Sequence, residues 1–180
     1  MATQVGFLYM PDRCIDCWAC QVACKQWHGI KAGTYARRRL EETFEGTFPQ
    51  VTRSFLSKAC MHCDEPACVE VCPAGALYKR EEDGAVLVDQ ELCIACGSCG
   101  QACPYDVPQY DESKGGKMDK CDHCISLAVG ASEETRCAAT CVTEALMSGT
   151  VDELQAKAKE MGLTVERFDG PTAPNLFIAK

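Results

Sequence analysis

The cysteines constrain this chain more than any other feature. Sixteen occur in 180 residues, about 9% of the chain, a level at which cross-links carry much of a small fold. They fall into four groups of four. The groups are Cys14, Cys17, Cys20, Cys24; Cys60, Cys63, Cys68, Cys72; Cys93, Cys96, Cys99, Cys103; and Cys121, Cys124, Cys137, Cys141. Removing them from the 47% apolar fraction leaves about 38%, a thin core for this length.

Three chemistries use such cysteines: disulfide bonds, zinc sites and iron–sulfur clusters. Disulfides require an oxidising compartment, and Cys14 lies too near the N-terminus for an export signal to precede it. Structural zinc prefers two separate C-x2-C knuckles per ion, a pattern that only the fourth group approaches. The first and third groups have the spacing C-x2-C-x2-C-x3-C, which is a bacterial 4Fe–4S ligand run. Four groups with no cysteine left over predict four 4Fe–4S clusters.

In such a run the fourth cysteine binds the neighbouring cluster, so the groups must work in pairs. The pairs could be tandem, first with second and third with fourth. They could also be nested, with the second and third groups inside the first and fourth. Residues 60–104 have the pattern of one complete two-cluster ferredoxin, because short strands are predicted at 76–79 and 85–88 around a polar turn. The sequence therefore favours the nested pairing.

Nested pairing predicts which cysteines share a cluster. The sets are Cys14, Cys17, Cys20 and Cys141 for cluster 1; Cys24, Cys121, Cys124 and Cys137 for cluster 2; Cys60, Cys63, Cys68 and Cys103 for cluster 3; and Cys72, Cys93, Cys96 and Cys99 for cluster 4. The predicted fold class is α+β, with two nested bacterial-ferredoxin-like units of short strands and short helices. Residues 1–45 and 111–150 form the outer unit, and residues 55–110 form the inserted unit.

The segment after the fourth group, residues 151–180, is predicted to form a C-terminal helix and an extended tail. Thr150 and Glu153 fit a capping box, in which each side chain accepts a hydrogen bond from the other residue's backbone. We therefore expect the helix to begin directly after Thr150.

Apolar residues that alternate with small or polar ones predict a strand over residues 5–9. Further strands are expected at 40–44 and 51–56, on either side of a turn near Gly46. These elements lie outside the minimal ferredoxin pattern.

The charge of the chain excludes one class of partner. The formal net charge is −8, which argues against nucleic acid as the main partner. Four oxidised clusters would each add about −2. Compensating cations are expected near the clusters, although most basic residues should be solvated. The candidates are Lys25, Arg37, Arg38, Arg39, Lys58, Lys79, Arg80 and Lys120.

Four other side chains lie close to the cysteine groups. His62 and His123 each stand in a C-x-H-C segment, and we expect them to hydrogen-bond to sulfide or carbonyl rather than to ligate iron, since every group already has four cysteines. Trp18 and Trp27 flank the first group. We expect them to pack over a cluster or in the core, with a place at a subunit interface as the alternative.

At this point the sequence resembles a known family. The four-group pattern, the segment CMHCDEPAC at residues 60–68 and the segment CPYDVPQY at residues 103–110 are similar to the iron–sulfur subunits of the dimethyl sulfoxide reductase family. In that family the subunit holds four cubanes in two nested ferredoxin-like units. It links a molybdenum or tungsten bis-pterin catalytic subunit to a membrane quinol-binding subunit.

The resemblance implies a non-catalytic electron-transfer subunit of a molybdopterin oxidoreductase. Its outer unit would face the catalytic subunit and its inner unit the membrane subunit. Some relatives lack one third-group cysteine and hold a three-iron cluster, but Cys96 is present here, so a full cubane is expected. We expect no direct membrane insertion, because no run of 18 apolar residues occurs. The chain should be cytoplasmic or carried to the membrane or periplasmic face with its catalytic partner. The alternative function is a free-standing polyferredoxin shuttle.

Overall fold

The computed structural model describes residues 3–33, 35–112 and 115–179. Over these residues the chain forms short helices and strands that alternate with cysteine-bearing loops. The α-helices are α1 (Ala19–Trp27), α2 (Ala67–Glu70), α3 (Ser98–Ala102), α4 (Arg136–Ala139) and α5 (Val151–Glu160). The strands are β1 (Val5–Tyr9), β2 (Arg39–Thr47), β3 (Gln50–Lys58), β4 (Leu77–Lys79), β5 (Val86–Val88), β6 (Gln109–Asp111), β7 (Lys117–Asp119), β8 (Leu146–Thr150), β9 (Val165–Arg167) and β10 (Leu176–Ala179).

A four-stranded sheet brings the two ends of the chain together. Its strand order is β8-β1-β10-β9, so the predicted first strand is confirmed and lies in the middle of the sheet. All five residues of β1 are buried, as a strand covered on both faces requires. The predicted extended tail instead ends in β10, which pairs in parallel with β1, from Phe7 opposite Leu176 to Tyr9 opposite Ile178.

Helix α5 covers one face of this sheet. The predicted capping box is confirmed: the Thr150 hydroxyl accepts from the Glu153 N–H at 3.3 Å, and the Glu153 carboxylate accepts from the Thr150 N–H at 3.0 Å. Leu154 and Ala158 then lie on the buried side of the helix, packed in one apolar cluster with Leu8 of β1. Burial of this stripe fixes the helix against the sheet.

The inserted unit contains the predicted short hairpin. Strands β4 and β5 pair with Leu77 opposite Val88. Cys72 lies five positions before Leu77, and Cys93 lies five positions after Val88. Both cysteines therefore lie five positions beyond the same cross-strand pair, at the open end of the hairpin.

The outer unit repeats this frame with its two strands far apart in sequence. Strands β8 and β1 pair antiparallel with Leu146 opposite Tyr9. Cys141 lies five positions before Leu146, and Cys14 lies five positions after Tyr9. The outer ladder thus places its cysteines as the inner hairpin does, but its two strands are joined by residues 10–145, which include the inserted segment.

A second hairpin projects from the cysteine-rich body. Strands β2 and β3 pair over nine residues each, from Arg39 opposite Lys58 to Thr47 opposite Gln50. The two predicted strands are confirmed but are longer than expected. Their turn lies at Phe48 and Pro49 rather than at Gly46, because the ladder continues through Gly46 opposite Val51.

The boundary between the two units is not sharp. Met118 of β7 packs in an apolar cluster with Leu77, Val86 and Cys99, although our sequence-based division places residue 118 in the outer unit. The β6–β7 hairpin therefore bridges the units, and the division itself stays a prediction. Among the described residues, no helix combines the length and apolar character needed to cross a membrane.

Asn175 gives a first testable prediction about this fold. It is fully buried, and its amide Nδ2 donates to the His62 carbonyl at 2.8 Å and to Asp64 Oδ1 at 2.9 Å. Asn175→Ala removes both of these hydrogen bonds from the interior, and only Gln4 Nε2 still donates to the His62 carbonyl, at 3.1 Å, so we expect the free energy of unfolding to fall by about 1–3 kcal/mol. Chemical denaturation of the anaerobic holoprotein measures this. Gln155→Ala, on the exposed side of α5, should change stability by less than about 0.5 kcal/mol; equal losses in both variants would contradict the prediction.

Candidate metal centres

The cysteine loops of the first and third groups have the same unusual backbone. Asp16 and Ala95, each two positions after the first cysteine of the group, have φ values of 56° and 58°. Trp18 and Gly97, two positions further on, have φ values of 63° and 79°. Left-handed residues that alternate with ordinary ones curl a chain into a concave nest of N–H groups, which suits an anionic centre. Each loop then leads directly into α1 or α3.

Two cavities are each lined by four cysteines. One is lined by Cys14, Cys17, Cys20 and Cys141, with the apolar side chains of Tyr9, Ile15, Leu40 and Leu146 among its other walls. The second is lined by Cys72, Cys93, Cys96 and Cys99, with Leu77, Val88, Ile94 and Met118 among its other walls. In each cavity three thiols come from one loop and the fourth comes from a distant group.

The thiols of Cys24, Cys121, Cys124 and Cys137 lie together in the interior. Burial, followed by the charges of Cys137 and Cys124, raises the pKa of Cys24 to about 12. The pKa of Cys121 is also raised well above its usual value, by burial first and then by Cys24 and Cys137. These sulfurs are close enough to oppose one another's ionisation.

Cys60, Cys63, Cys68 and Cys103 form a comparable group. Burial, and then the charges of Cys60, Cys103 and Cys63, raise the pKa of Cys68 to about 12. Burial likewise raises the pKa of Cys63 to about 11. As free thiols these residues would stay protonated at neutral pH, whereas iron binds and deprotonates them.

The donor chemistry of all four groups fits iron–sulfur clusters. The sixteen thiols are free of disulfides, and thiolate is the ligand that such clusters take. No three His, Cys, Asp or Glu side chains of the described residues converge closely enough to ligate one ion. A four-iron cube separates its four thiolates more widely than a single ion does.

Several sulfurs also receive hydrogen bonds from the protein. The Thr172 hydroxyl donates to Cys63 Sγ at 3.2 Å, and the Ala76 N–H donates to Cys72 Sγ at 3.3 Å. The His123 N–H lies 3.4 Å from Cys121 Sγ. Such bonds set the reduction potentials of clusters. Thr172 was not found from the sequence, since it lies 109 positions from Cys63 in a tail without a motif.

The two histidines meet between the second and fourth groups. Both are fully buried, and their rings lie edge to face with centroids 5.7 Å apart. His123 Nε2 makes the expected carbonyl hydrogen bond, to Gly6 at 3.2 Å. His62 Nδ1 accepts from the Val86 N–H at 3.0 Å, so its proton lies on Nε2, which is buried without a partner among the described residues; its bond to sulfide or carbonyl stays a prediction. Burial lowers the pKa of His123 to about 4 and that of His62 well below its usual value, so both rings are neutral.

Two of the eight candidate cations are buried. Arg38 is 1% and Lys120 is 3% exposed. Lys120 Nζ donates to the Val86 and Cys121 carbonyls. The others are held mostly by carboxylates or carbonyls nearer the surface; Arg37, for example, pairs with Asp119 and Asp122. None of the eight candidate cations is classed as exposed, so the expectation that most of them would be solvated is not confirmed.

The two cysteine-lined cavities open towards exposed apolar residues. Cys17 and Cys96 are the exposed cysteines of the chain, and they stand at equivalent positions of the first and third groups. Ile15 and Ile94 beside them are 61% and 65% exposed. Trp18 lines the first cavity, as expected.

Trp27 departs from the expectation of a core position. It is 54% exposed, and the Arg136 guanidinium lies 4.7 Å from its ring centroid. For Trp27 the alternative prediction, a place at a subunit interface, remains.

Comparison with known proteins supports this chemistry. Two family models, each described as a 4Fe–4S dicluster domain, match residues 51–151 and 13–76. The chain is 42% identical over 164 residues to the iron–sulfur subunit of the anaerobic dimethyl sulfoxide reductase of Escherichia coli, covering 87% of this chain and 78% of that protein. It is 39% identical to the formate dehydrogenase iron–sulfur subunit of Wolinella succinogenes, covering 87% of this chain and 86% of that one. It is 37% identical to a subunit of the sulfite dehydrogenase of Allochromatium vinosum, covering 84% and 70%.

Two dicluster domains and sixteen cysteines give this chain four 4Fe–4S clusters. The predicted α+β fold of two ferredoxin-like units is confirmed by the same matches.

The Thr172 hydrogen bond gives a prediction for one cluster. Thr172→Val removes the donor to Cys63 Sγ with little change of shape, and hydrogen bonds to sulfur favour the reduced cluster. We expect the potential of the cluster bound by Cys63 to fall by on the order of tens of millivolts. Potentiometric EPR measures all four potentials in one titration. Thr164→Val, at an exposed position, is the control, and an unchanged potential in Thr172→Val would count against a tuning effect.

Proposed function

Because this chain belongs to the family of iron–sulfur subunits of dimethyl sulfoxide reductase and related molybdopterin oxidoreductases, we propose that it connects two particular partners. One is a molybdopterin-containing catalytic subunit and the other is a quinol-linked membrane subunit. Electron transfer is the activity of the family. The observation that supports two partners is the presence of two equivalent exposed sites, around Cys17 and Cys96, on opposite units of the fold.

We propose the nested ligand sets predicted above. Their main support is the pair of cavities, since each is lined by the four cysteines of one set. The matching ladders also support them, because Cys141 and Cys14 flank the outer ladder as Cys72 and Cys93 flank the inner hairpin. Tandem pairing would not explain why the two ladders have cysteines at matching positions.

The spacing of the ligands sets the spacing of the clusters. In all four groups the third and fourth cysteines are separated by three residues; Cys20 and Cys24, for example, lie on α1. One such step is about 6 Å along a helix axis. When the third cysteine binds one cluster and the fourth binds the next, the peptide fixes the two clusters as close neighbours.

In this proposal the clusters follow one another in the order 1, 2, 3, 4. Helix α1 links the first pair through Cys20 and Cys24, and Cys68 and Cys72 link the last pair in the same way. The rings of His62 and His123 tie the loops of the middle pair together. Each bound cluster accepts and releases one electron, and the surrounding apolar side chains exclude water from the path between the two exposed ends.

The ligand sets can be tested with two pairs of variants. Nested pairing predicts that Cys17→Ala and Cys141→Ala abolish the same EPR signal, although these residues belong to different groups. Cys96→Ala and Cys72→Ala should abolish a second, shared signal. Each variant should retain about twelve of about sixteen irons, or lose one iron where a three-iron cluster remains. Different signals lost by Cys17→Ala and Cys141→Ala would instead indicate tandem pairing.

Substitutions at Ile15 and Ile94 can distinguish the sites of the two partners. We expect Ile15→Glu to weaken association with the catalytic subunit about tenfold or more, because a charge is buried in an apolar interface. Ile94→Glu should spare that association and slow reduction of the chain by quinol in reconstituted membranes. Each variant is the control of the other, and both should keep four EPR signals.

Loss of the same partner in both variants would contradict this assignment. A wild-type chain that purifies from its host without any pterin-binding protein would favour the polyferredoxin shuttle instead.

A further inference from the structure

Arg38 is a charged side chain held entirely inside the fold. Its Nη1 donates to the Ser57 carbonyl at 2.9 Å and to the Ser57 hydroxyl at 3.1 Å. Its guanidinium carbon lies 4.4 Å from the centroid of the Phe7 ring. One hydrogen-bonding residue and one ring therefore fix the position and the plane of the guanidinium.

The remaining donors of Arg38 have no partner in the described part of the protein. Its Nε and Nη2 are buried and make no hydrogen bond, and no carboxylate of the described residues forms an ion pair with it. A guanidinium has five N–H donors and does not lose its proton in proteins. A buried cation with unused donors is strongly unfavourable unless an anion neutralises it. The structure thus provides a charge that requires a negative group at this place.

Cysteines assigned to two clusters pack around the side chains that hold this charge. The Phe7 ring, against which the guanidinium lies, packs in one buried cluster with Cys20, Cys121 and Cys137. Cys20 also lies 3.4 Å from the Ser57 hydroxyl that holds Arg38. The cation therefore stands between the thiols assigned to cluster 1 and those assigned to cluster 2.

We propose that Arg38 is a positioning residue for electron transfer: a permanent buried cation, shared by clusters 1 and 2, that raises the reduction potentials of both. A reduced cluster is one unit more negative than an oxidised one, so a fixed positive charge nearby stabilises the reduced state of each. The free Nε and Nη2 groups would be the hydrogen-bond donors that Arg38 offers to the same anionic centres. The inference rests on the ligand sets proposed above.

The neighbouring cations do not share this arrangement. Arg37 forms ion pairs with Asp119 and Asp122, whereas Arg38 has no carboxylate partner among the described residues. Lys120 donates to the Val86 and Cys121 carbonyls. Arg38 alone among these three has buried donors without partners.

The test compares four forms of the full-length, anaerobically purified holoprotein by potentiometric EPR, with iron analysis of each. Beside the wild type, the variants are Arg38→Gln, Arg38→Lys and, as a control for net charge, Lys159→Gln on the exposed side of α5. The signals of clusters 1 and 2 are identified by their loss in Cys17→Ala and in Cys24→Ala. We expect Arg38→Gln to lower the potentials of clusters 1 and 2 while those of clusters 3 and 4 stay unchanged. Arg38→Lys should restore most of the difference, and Lys159→Gln should change none.

Unchanged potentials in an Arg38→Gln protein of full iron content would overturn the proposal, as would equal shifts of all four clusters. If Arg38→Gln loses iron, the iron content and cluster potentials of Arg38→Lys decide the test. Full iron with near-normal potentials for clusters 1 and 2 supports a requirement for charge, and loss of the clusters in Arg38→Lys contradicts it. A wild-type chain that binds far fewer than about sixteen irons would refute the proposed function itself, and that outcome is distinct from a failure of Arg38 alone.

Discussion

The bonds between cysteine sulfur and iron are the interaction on which the structure depends. Buried thiols such as Cys24 and Cys68 oppose ionisation, because burial and neighbouring sulfurs raise the pKa of each to about 12. Bound iron reverses this preference, because its positive charge stabilises the thiolate in place of the water that burial removes. Since the apolar core is thin for the length of the chain, metal binding must contribute directly to folding.

The proposed nesting of one unit in another would solve a problem of connection. A ferredoxin-like unit needs two paired strands between its cysteine loops, and the inner unit obtains them from a hairpin. The outer unit obtains them from β1 and β8, at the two ends of its sequence. An uncovered strand edge invites pairing with other chains. The tail covers the β1 edge of the outer ladder, because β10 pairs with β1 and β9 pairs with β10, and it leaves only the three-residue strand β9 at that side of the sheet.

The sequence predicts the features that depend on residues close together along the chain. Spacing identified the clusters, alternation identified β1, and the capping box at Thr150 identified the start of α5, because each depends on residues a few positions apart. The parallel pairing of β10, the bond from Thr172 to Cys63 and the selection of Arg38 from eight cations could not be predicted. These depend on contacts between distant segments, and nothing in the composition of those segments distinguishes them from an ordinary tail or a charged loop.

The buried ionisable groups near the clusters are of two kinds, neutral histidines and a permanently charged arginine. The histidines beside the clusters are neutral, so their rings can fill space and order loops without adding a charge that varies with pH. Arg38 keeps its charge at every physiological pH, because a guanidinium does not deprotonate. A path for electrons benefits from this division, since its potentials are then set by fixed charges and hydrogen bonds. In the proposed path only the ends, at Cys17 and Cys96, are exposed, and electrons would enter and leave where a partner covers the exposed thiolate.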